Sequence, residues 1–115
     1  MKNSIVALAI LVSVPAFAEL KCGGTEPFWN LVIQSKTAVY KNMGEGLEAF
    51  LNLSAQAEEQ GLKHGTVRKF HFTGDGMSAD AVVQKQKCSD GMSDITYPYT
   101  IAFSIGQKVL SGCCK

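Results

Sequence analysis

Charge is sparse in this sequence and is not concentrated in any one segment. Charged side chains make up 18% of the 115 residues, and the basic ones form only pairs such as Lys85 and Lys87. A nucleic acid or an anionic membrane surface selects a dense basic patch, so we expect neither as a partner.

Common catalytic motifs are missing as well. The sequence contains no Gly-rich phosphate loop, no H-E-x-x-H motif and no Ser–His–Asp order. It also has no C-x-x-C motif and no βαβ pattern, so redox chemistry at the cysteines is not indicated. We therefore predict a protein that is not an enzyme and carries no cofactor.

No apolar run is long enough to span a membrane, which takes about 20 residues. The longest, Ile5 to Val14, follows a lysine and precedes Ala16-Phe17-Ala18, an A-x-A cleavage site. We predict a signal peptide at residues 1–18, cleaved after Ala18, and a single exported domain at residues 19–115. A retained N-terminal anchor is the alternative.

The C-terminal segment has the clearest strand pattern. Apolar or aromatic residues occupy every second position from Tyr97 to Ile105, and the residues between them are small or polar. This alternation predicts a half-buried strand. Gly106-Gln107 fits a two-residue type II′ hairpin turn, because glycine belongs at its first central position. Lys108 to Cys113 is then the partner strand.

Other short segments alternate in the same way and are separated by turn residues. Several short strands with such spacing indicate a mainly β fold, a small antiparallel β-barrel or sandwich stabilised by disulfides. The predicted strands are Phe28–Gln34, Thr37–Lys41, Leu47–Ser54, Thr66–Thr73 and Ser78–Lys87. For Leu47–Ser54 a helix is the alternative, because its apolar residues also have helical spacing. The predicted loops are Lys21–Pro27, Asn42–Glu48, Thr73–Gly76 and Ala55–Gly65, the last with one helical turn as the alternative.

Four cysteines in a small exported domain indicate disulfides. They allow three connectivities, and pairing the adjacent Cys113 and Cys114 with each other requires a strained geometry. Successive strand residues point to opposite faces, so these two cysteines reach different partners. We favour Cys88–Cys113, which closes the segment that holds an acidic turn and the last hairpin, together with Cys22–Cys114.

The acidic turn that follows Cys88 has the highest density of polar side chains. Its oxygens suit Ca²⁺, although the D-x-D-x-D-G spacing with a distal Glu is absent. The alternative is that these side chains accept hydrogen bonds from the amides of their own turn. The predicted contact residues are Asp90, Gly91, Met92, Ser93, Asp94, Tyr97 and Pro98.

Two further groups of residues allow more than one role. Glu26 beside Phe28 and Trp29 forms a small recognition patch, or Trp29 anchors the core of the first predicted strand, which we favour. The methionines and histidines of this chain could bind Cu(I), which prefers soft ligands. Their spacing matches no metal-binding motif, and ordinary packing or exposure of the methionines is the alternative. They are Met43, Met77, Met92, His64 and His71.

Two segments together carry a family resemblance. They are Gly24-Thr25-Glu26-Pro27-Phe28-Trp29, and Cys88-Ser89-Asp90-Gly91-Met92-Ser93-Asp94 followed by Tyr97-Pro98 and Gly112-Cys113. The chain resembles a family of small bacterial envelope proteins and lipoproteins of unassigned role, similar to META-type and lysozyme-inhibitor-like β-domains. The resemblance implies a compact periplasmic β-domain and supports the pairing of Cys88 with Cys113.

The chain departs from the lipoprotein members of that family at Lys21, because a lipidation signal places a small residue before its cysteine. We therefore expect a soluble, non-enzymatic binding domain of the periplasm or cell envelope, with a protein or an envelope component as its ligand. A lysozyme-inhibitor-like role is the specific version. The alternative is a metal-binding or metal-chaperone protein that uses the acidic turn or the Met/His residues.

Overall fold

A computed structural model of the chain describes residues 19–25, 27–60 and 66–115. The predictions for residues 1–18, Glu26 and His64 lie outside these residues. The fold is all-β: eight strands follow one another around a closed barrel, each antiparallel to its neighbours. The strands are β1 (Leu20–Gly24), β2 (Trp29–Ile33), β3 (Thr37–Asn42), β4 (Leu47–Gln60), β5 (Thr66–Gly74), β6 (Met77–Cys88), β7 (Tyr97–Ile105) and β8 (Lys108–Cys114).

The described residues include no helix of the length and apolarity needed to cross a bilayer. Of the two predicted architectures, the structure shows the barrel. Closure in this way removes the open sheet edges that a sandwich retains.

The barrel closes where β1 meets β8, and this seam is short. Only Cys22 with Cys114 and Gly23 with Cys113 are paired across it, continued by mutual backbone hydrogen bonds of 3.0 Å between Lys21 and Lys115. The Cys22–Cys114 disulfide joins two residues that lie directly opposite each other. A covalent bond therefore reinforces the part of the barrel with the fewest ladder bonds.

The second disulfide is Cys88–Cys113, so both predicted pairings are confirmed. The adjacent cysteines of β8 do reach different partners, as strand geometry requires. Cys114 lies in the barrel core with Cys22, while Cys113 ties β8 to the end of β6.

Aromatic side chains fill the barrel interior. The ring of Trp29 stacks on Phe103 with centroids 5.8 Å apart, and Tyr40 is tilted against both rings. Trp29 is only 2% exposed. Of its two predicted roles, the structure therefore shows the core anchor.

The predicted last hairpin is present. Gly106 has a φ of +59° and Gln107 does not have a positive φ, which is the pattern of the predicted II′ turn. The β5–β6 turn is Asp75-Gly76, where both residues have positive φ, as in a type I′ turn. The loop predicted at Asn42–Glu48 is shorter than expected, because β3 includes Asn42 and β4 begins at Leu47.

The prediction of a loop at Lys21–Pro27 is wrong for its first half, because Leu20–Gly24 forms β1. The two glycines of this strand are residues typical of loops, which is why the sequence indicated a loop here. Small residues are required because the backbones of β1 and β8 approach each other closely at the seam. A Cβ atom added to Gly112 of β8 would collide with the carbonyl oxygen of Gly23. Glycine in a strand often marks such a close backbone approach.

The prediction for Ala55–Gly65 is also wrong over residues 55–60, which continue β4. A bulge between Leu53 and Ala55 shifts the register, after which β4 pairs with β5 as far as Gln60 with Thr66. Beyond the bulge, residues 55–58 are all exposed, so none of them is a core residue. Alternation of apolar and polar residues, the usual strand signal, is therefore absent from this part of the sequence.

The two ends of the barrel differ. We call the end that carries the β6–β7 connection, Ser89–Thr96, the loop end, and the opposite end the turn end. Strand direction alternates, so the tight turns Asp75-Gly76 and Gly106-Gln107 both lie at the turn end.

Candidate functional site

The acidic turn predicted from the sequence is an eight-residue connection that we call the pinned loop, Ser89–Thr96. It leaves β6 at Cys88 and enters β7 at Tyr97. The Cys88–Cys113 disulfide fixes its first end to β8, with the two Cα atoms 5.5 Å apart. The loop therefore begins at a point that is covalently attached to the barrel wall.

Side chains of the pinned loop bind its own backbone. The Asp90 carboxylate accepts hydrogen bonds from the amides of Met92 (2.8 Å) and Ser93 (3.3 Å) through one oxygen. The hydroxyl of Ser89 accepts from the Gly91 amide at 3.1 Å, and that of Ser93 accepts from the Ile95 amide at 3.2 Å. This is the capping role predicted as the alternative to a calcium site.

Asp90 also links the loop to β7. Its second carboxylate oxygen accepts a hydrogen bond of 3.3 Å from the Tyr97 hydroxyl. The amide of Met92 has the largest effect on the pKa of Asp90, which it lowers below the ordinary value of 3.8. Desolvation, the next largest effect, opposes it, and the Ser93 amide and the Tyr97 hydroxyl lower the pKa further. Desolvation and the negative charge of Asp90 raise the pKa of Tyr97. A carboxylate held ionised in this way is poorly suited to proton transfer near neutral pH.

Two shallow clefts flank Asp90 where the pinned loop lies near the seam. One, of about 240 Å³, is lined by Lys21, Asn30, Tyr97 and Lys115 in addition to Asp90. The other, of about 340 Å³, extends along β7 and β8 past Thr100 and Ser111. The Lys115 ammonium lies 5.8 Å from the centre of the Tyr97 ring.

Sequence reasoning missed the two lysines of the first cleft. Lys21 and Lys115 lie near opposite ends of the described chain, and only barrel closure places them opposite each other at the seam. No local pattern in the sequence carries that information.

The pinned loop exposes apolar side chains despite its internal order. Met92 is 63% exposed and Ile95 is 57% exposed. Asp94 and Pro98 are also exposed, while Asp90 and Tyr97 are half-buried. The loop therefore presents two large apolar groups beside polar ones on an ordered backbone.

Those of the predicted soft ligands that the structure describes do not lie together. Met43 lies in the β3–β4 turn and Met77 at the start of β6, both at the turn end, whereas Met92 lies at the loop end. The Nδ1 atom of His71, in the middle of β5, is 2.8 Å from Asp80 Oδ1. Among the residues that the structure describes, no three His, Cys, Asp or Glu side chains are arranged to hold a metal ion.

The chain matches no family model, and no curated protein and no solved structure is significantly similar to it. The family resemblance of the two sequence motifs therefore stays a prediction. The arguments below depend on the geometry of the barrel and its loop end.

Proposed function

We propose that this protein is a non-enzymatic binding domain of the bacterial periplasm or cell envelope, and that the pinned loop is the surface that contacts its ligand. The observation that carries the proposal is a loop that is both ordered and apolar at its surface. Met92 and Ile95 are more than half exposed on a backbone held by a disulfide and by side-chain hydrogen bonds. A preorganised loop loses little conformational entropy on binding, which favours affinity.

The covalent structure and the N-terminal sequence together support the proposed compartment. Two disulfides join all four cysteines of the chain. Such bonds persist in oxidising compartments, including the bacterial periplasm. The signal-peptide pattern of residues 1–18 supports export by the same reasoning.

The partner that best fits a projecting, ordered loop is a protein with a concave surface. The specific version is inhibition of a lysozyme, in which the pinned loop enters the substrate cleft of the hydrolase. Met92 and Ile95 would supply the apolar contact, and the hydroxyl and carboxylate groups around them the polar rim. The resemblance to lysozyme-inhibitor-like β-domains supports this version.

The test is a lysozyme assay that follows the loss of turbidity of a peptidoglycan suspension. We expect the oxidised protein to inhibit at micromolar concentration. The double variant Met92→Ser/Ile95→Ser should weaken inhibition by at least about tenfold, because each large apolar side chain contributes roughly 1.5–3 kcal/mol when fully buried. The matched control is Val109→Ser, since Val109 is 78% exposed but belongs to β8 near the turn end.

Absence of inhibition by the oxidised wild-type protein would refute the lysozyme version. The broader proposal has its own test: retention of partners from a periplasmic extract and of purified peptidoglycan on immobilised protein. Wild type and Val109→Ser should retain the same material, and the loop variant should lose it. Retention that is identical for all three proteins would show that the pinned loop is not the contact surface.

The metal-binding alternative receives no support from a particular observation. Of the described residues in its two candidate sets, the methionines lie at opposite ends of the barrel and the acidic turn uses Asp90 for its own hydrogen bonds. Binding through an ordered surface is thus the function that the geometry supports best.

A further inference from the structure

The interior of the barrel changes from apolar to polar towards the loop end. In β5 the inward alternation continues from Phe72 and Phe70 to Arg68, and in β6 it continues from Val83 to Lys85. Phe70, Phe72 and Val83 are all at most 1% exposed. The next positions of the same alternation are Arg68, which is partly buried, and Lys85, which is exposed, so the apolar core ends before them.

Strand register shows that these polar residues share one face with the core. Glu58 lies opposite Arg68, which lies opposite the buried Val83. Lys85 lies opposite Tyr99, and the ring of Tyr99 packs against the core cluster. Directly opposite residues of antiparallel strands point to the same side of the sheet.

Together these side chains line a cavity of about 240 Å³ with Val83 among its walls. We call this cavity the polar mouth. It is smaller than the usual pocket for a drug-sized molecule, so it fits a compact ligand or one end of a longer one. Its polar lining residues are Glu58, Thr66, Arg68, Lys85 and Tyr99.

Arg68 is the best-placed group in the polar mouth. Its side chain is 22% exposed, and its guanidinium carbon lies 5.1 Å from the centre of the Phe70 ring. Its Nε atom is 3.9 Å from Glu58 Oε1. The aromatic face and the carboxylate thus hold the guanidinium on two sides, which reduces the ordering required when a ligand binds.

The charge balance of the polar mouth selects the class of ligand. Among the lining residues that the structure describes, Arg68 and Lys85 are two cations and Glu58 is the one carboxylate, so this part of the lining has a net positive charge. The Tyr99 hydroxyl adds a neutral donor. Arg68 and Lys85 both line this cavity, and a guanidinium with an ammonium matches an oxyanion, because charge-assisted hydrogen bonds to carboxylate or phosphate are the strongest these groups make.

We propose that the polar mouth binds a small oxyanion, a carboxylate or a phosphate, with Arg68 and Lys85 as its charged donors and Tyr99 as a further contact. The site is separate from the pinned loop and does not depend on the proposed function of that loop. It uses other residues, so the two proposals stand or fall independently.

The test is an NMR titration of the ¹⁵N-labelled, oxidised protein with succinate in one arm and inorganic phosphate in the other. Sodium chloride at matched ionic strength is the blank. We expect saturable shifts in the millimolar range at the amides of Arg68, Lys85 and Tyr99 in at least one arm. The arm that saturates identifies whether the oxyanion is a carboxylate or a phosphate.

Variants then separate a specific site from general electrostatic attraction. Arg68→Gln and Lys85→Gln should each weaken binding by about tenfold, as loss of a charge-assisted hydrogen bond predicts. The matched control is Lys69→Gln, which removes the same charge from the neighbouring, outward-facing position of β5 and should leave binding unchanged. If Arg68→Gln does not fold, as judged by circular dichroism, Lys85→Gln decides the question.

Three results would overturn the proposal. The first is the absence of saturable shifts in both arms. The second is saturation that maps to the pinned loop instead of the polar mouth. The third is a loss of affinity in Lys69→Gln as large as that in the mouth variants.

Discussion

The two disulfides should contribute unequally to stability, and the one at the barrel seam should contribute more. The comparison uses two double variants, Cys22→Ser/Cys114→Ser and Cys88→Ser/Cys113→Ser. Each removes one bridge and leaves the other intact, so neither variant contains an unpaired cysteine. They also remove the same number of sulfur atoms, which makes them controls for each other.

The magnitudes follow from the length of chain that each bridge closes. In the chain-entropy description, the Cys22–Cys114 separation of 92 residues corresponds to about 4.6 kcal/mol and the Cys88–Cys113 separation of 25 to about 3.5 kcal/mol. The expected difference in the free energy of unfolding is thus about 1 kcal/mol. Local structure should increase it, because the seam has only two paired residues on each strand.

Urea unfolding followed by tryptophan fluorescence measures this difference directly. Trp29 is the one tryptophan of the chain and is 2% exposed. Its ring lies beside Gly112 of β8, and therefore close to the seam. Its emission should therefore report both unfolding and seam opening. Amide hydrogen exchange should show faster exchange in β1 and β8 for the Cys22/Cys114 variant alone.

The reasoning would be refuted if the Cys88/Cys113 variant were the less stable of the two. It would also fail if both variants unfolded at the same urea concentration with the same dependence on urea. Either result would mean that loop length and seam pairing do not determine the contribution of these bridges.

Two further predictions concern the seam and the pinned loop. Gly112→Ala should destabilise the protein by about 1–3 kcal/mol, because the added methyl group collides with the Gly23 carbonyl oxygen. Thermal unfolding measures this destabilisation. The control is Ser111→Ala, which changes an exposed residue and should have little effect. Asp90 has a lowered pKa, so its contribution to loop order should be complete above about pH 4 and should be lost as the pH falls through that lowered pKa. Asp90→Asn should remove this acid transition from the NMR shifts of the loop amides, and Asp94→Asn should preserve it.

Much of the strand structure could be predicted because most strands have one apolar and one wet face. The last hairpin is the clearest case: Ile101, Phe103 and Ile105 are buried at alternate positions, as their spacing indicates. The prediction failed where the strand environment differs from this pattern. β1 contains two glycines at the tight seam, and residues 55–58 of β4 are all exposed.

The candidate sites were predictable to different degrees. The pinned loop is contiguous, and its Asp, Ser and Gly residues have strong turn preferences, so the sequence locates it. The polar mouth is formed by residues from four strands. In the sequence, the only indication of it is that these residues occupy the same alternate positions as the core residues of their strands. Arg68 is in phase with Phe70 and Phe72, which marks it as inward-facing once β5 is known to lie in a closed barrel.

Local sequence was sufficient for the all-β class, the main strands, the hairpin turns and the acidic loop, because each depends on residues within a few positions of one another. Barrel closure is different, since it depends on the summed stagger and pairing of all eight strands. Closure places Lys21 beside Lys115 and makes polar residues of four strands line one cavity. These relations join residues distant in the chain, so only the tertiary structure decides them.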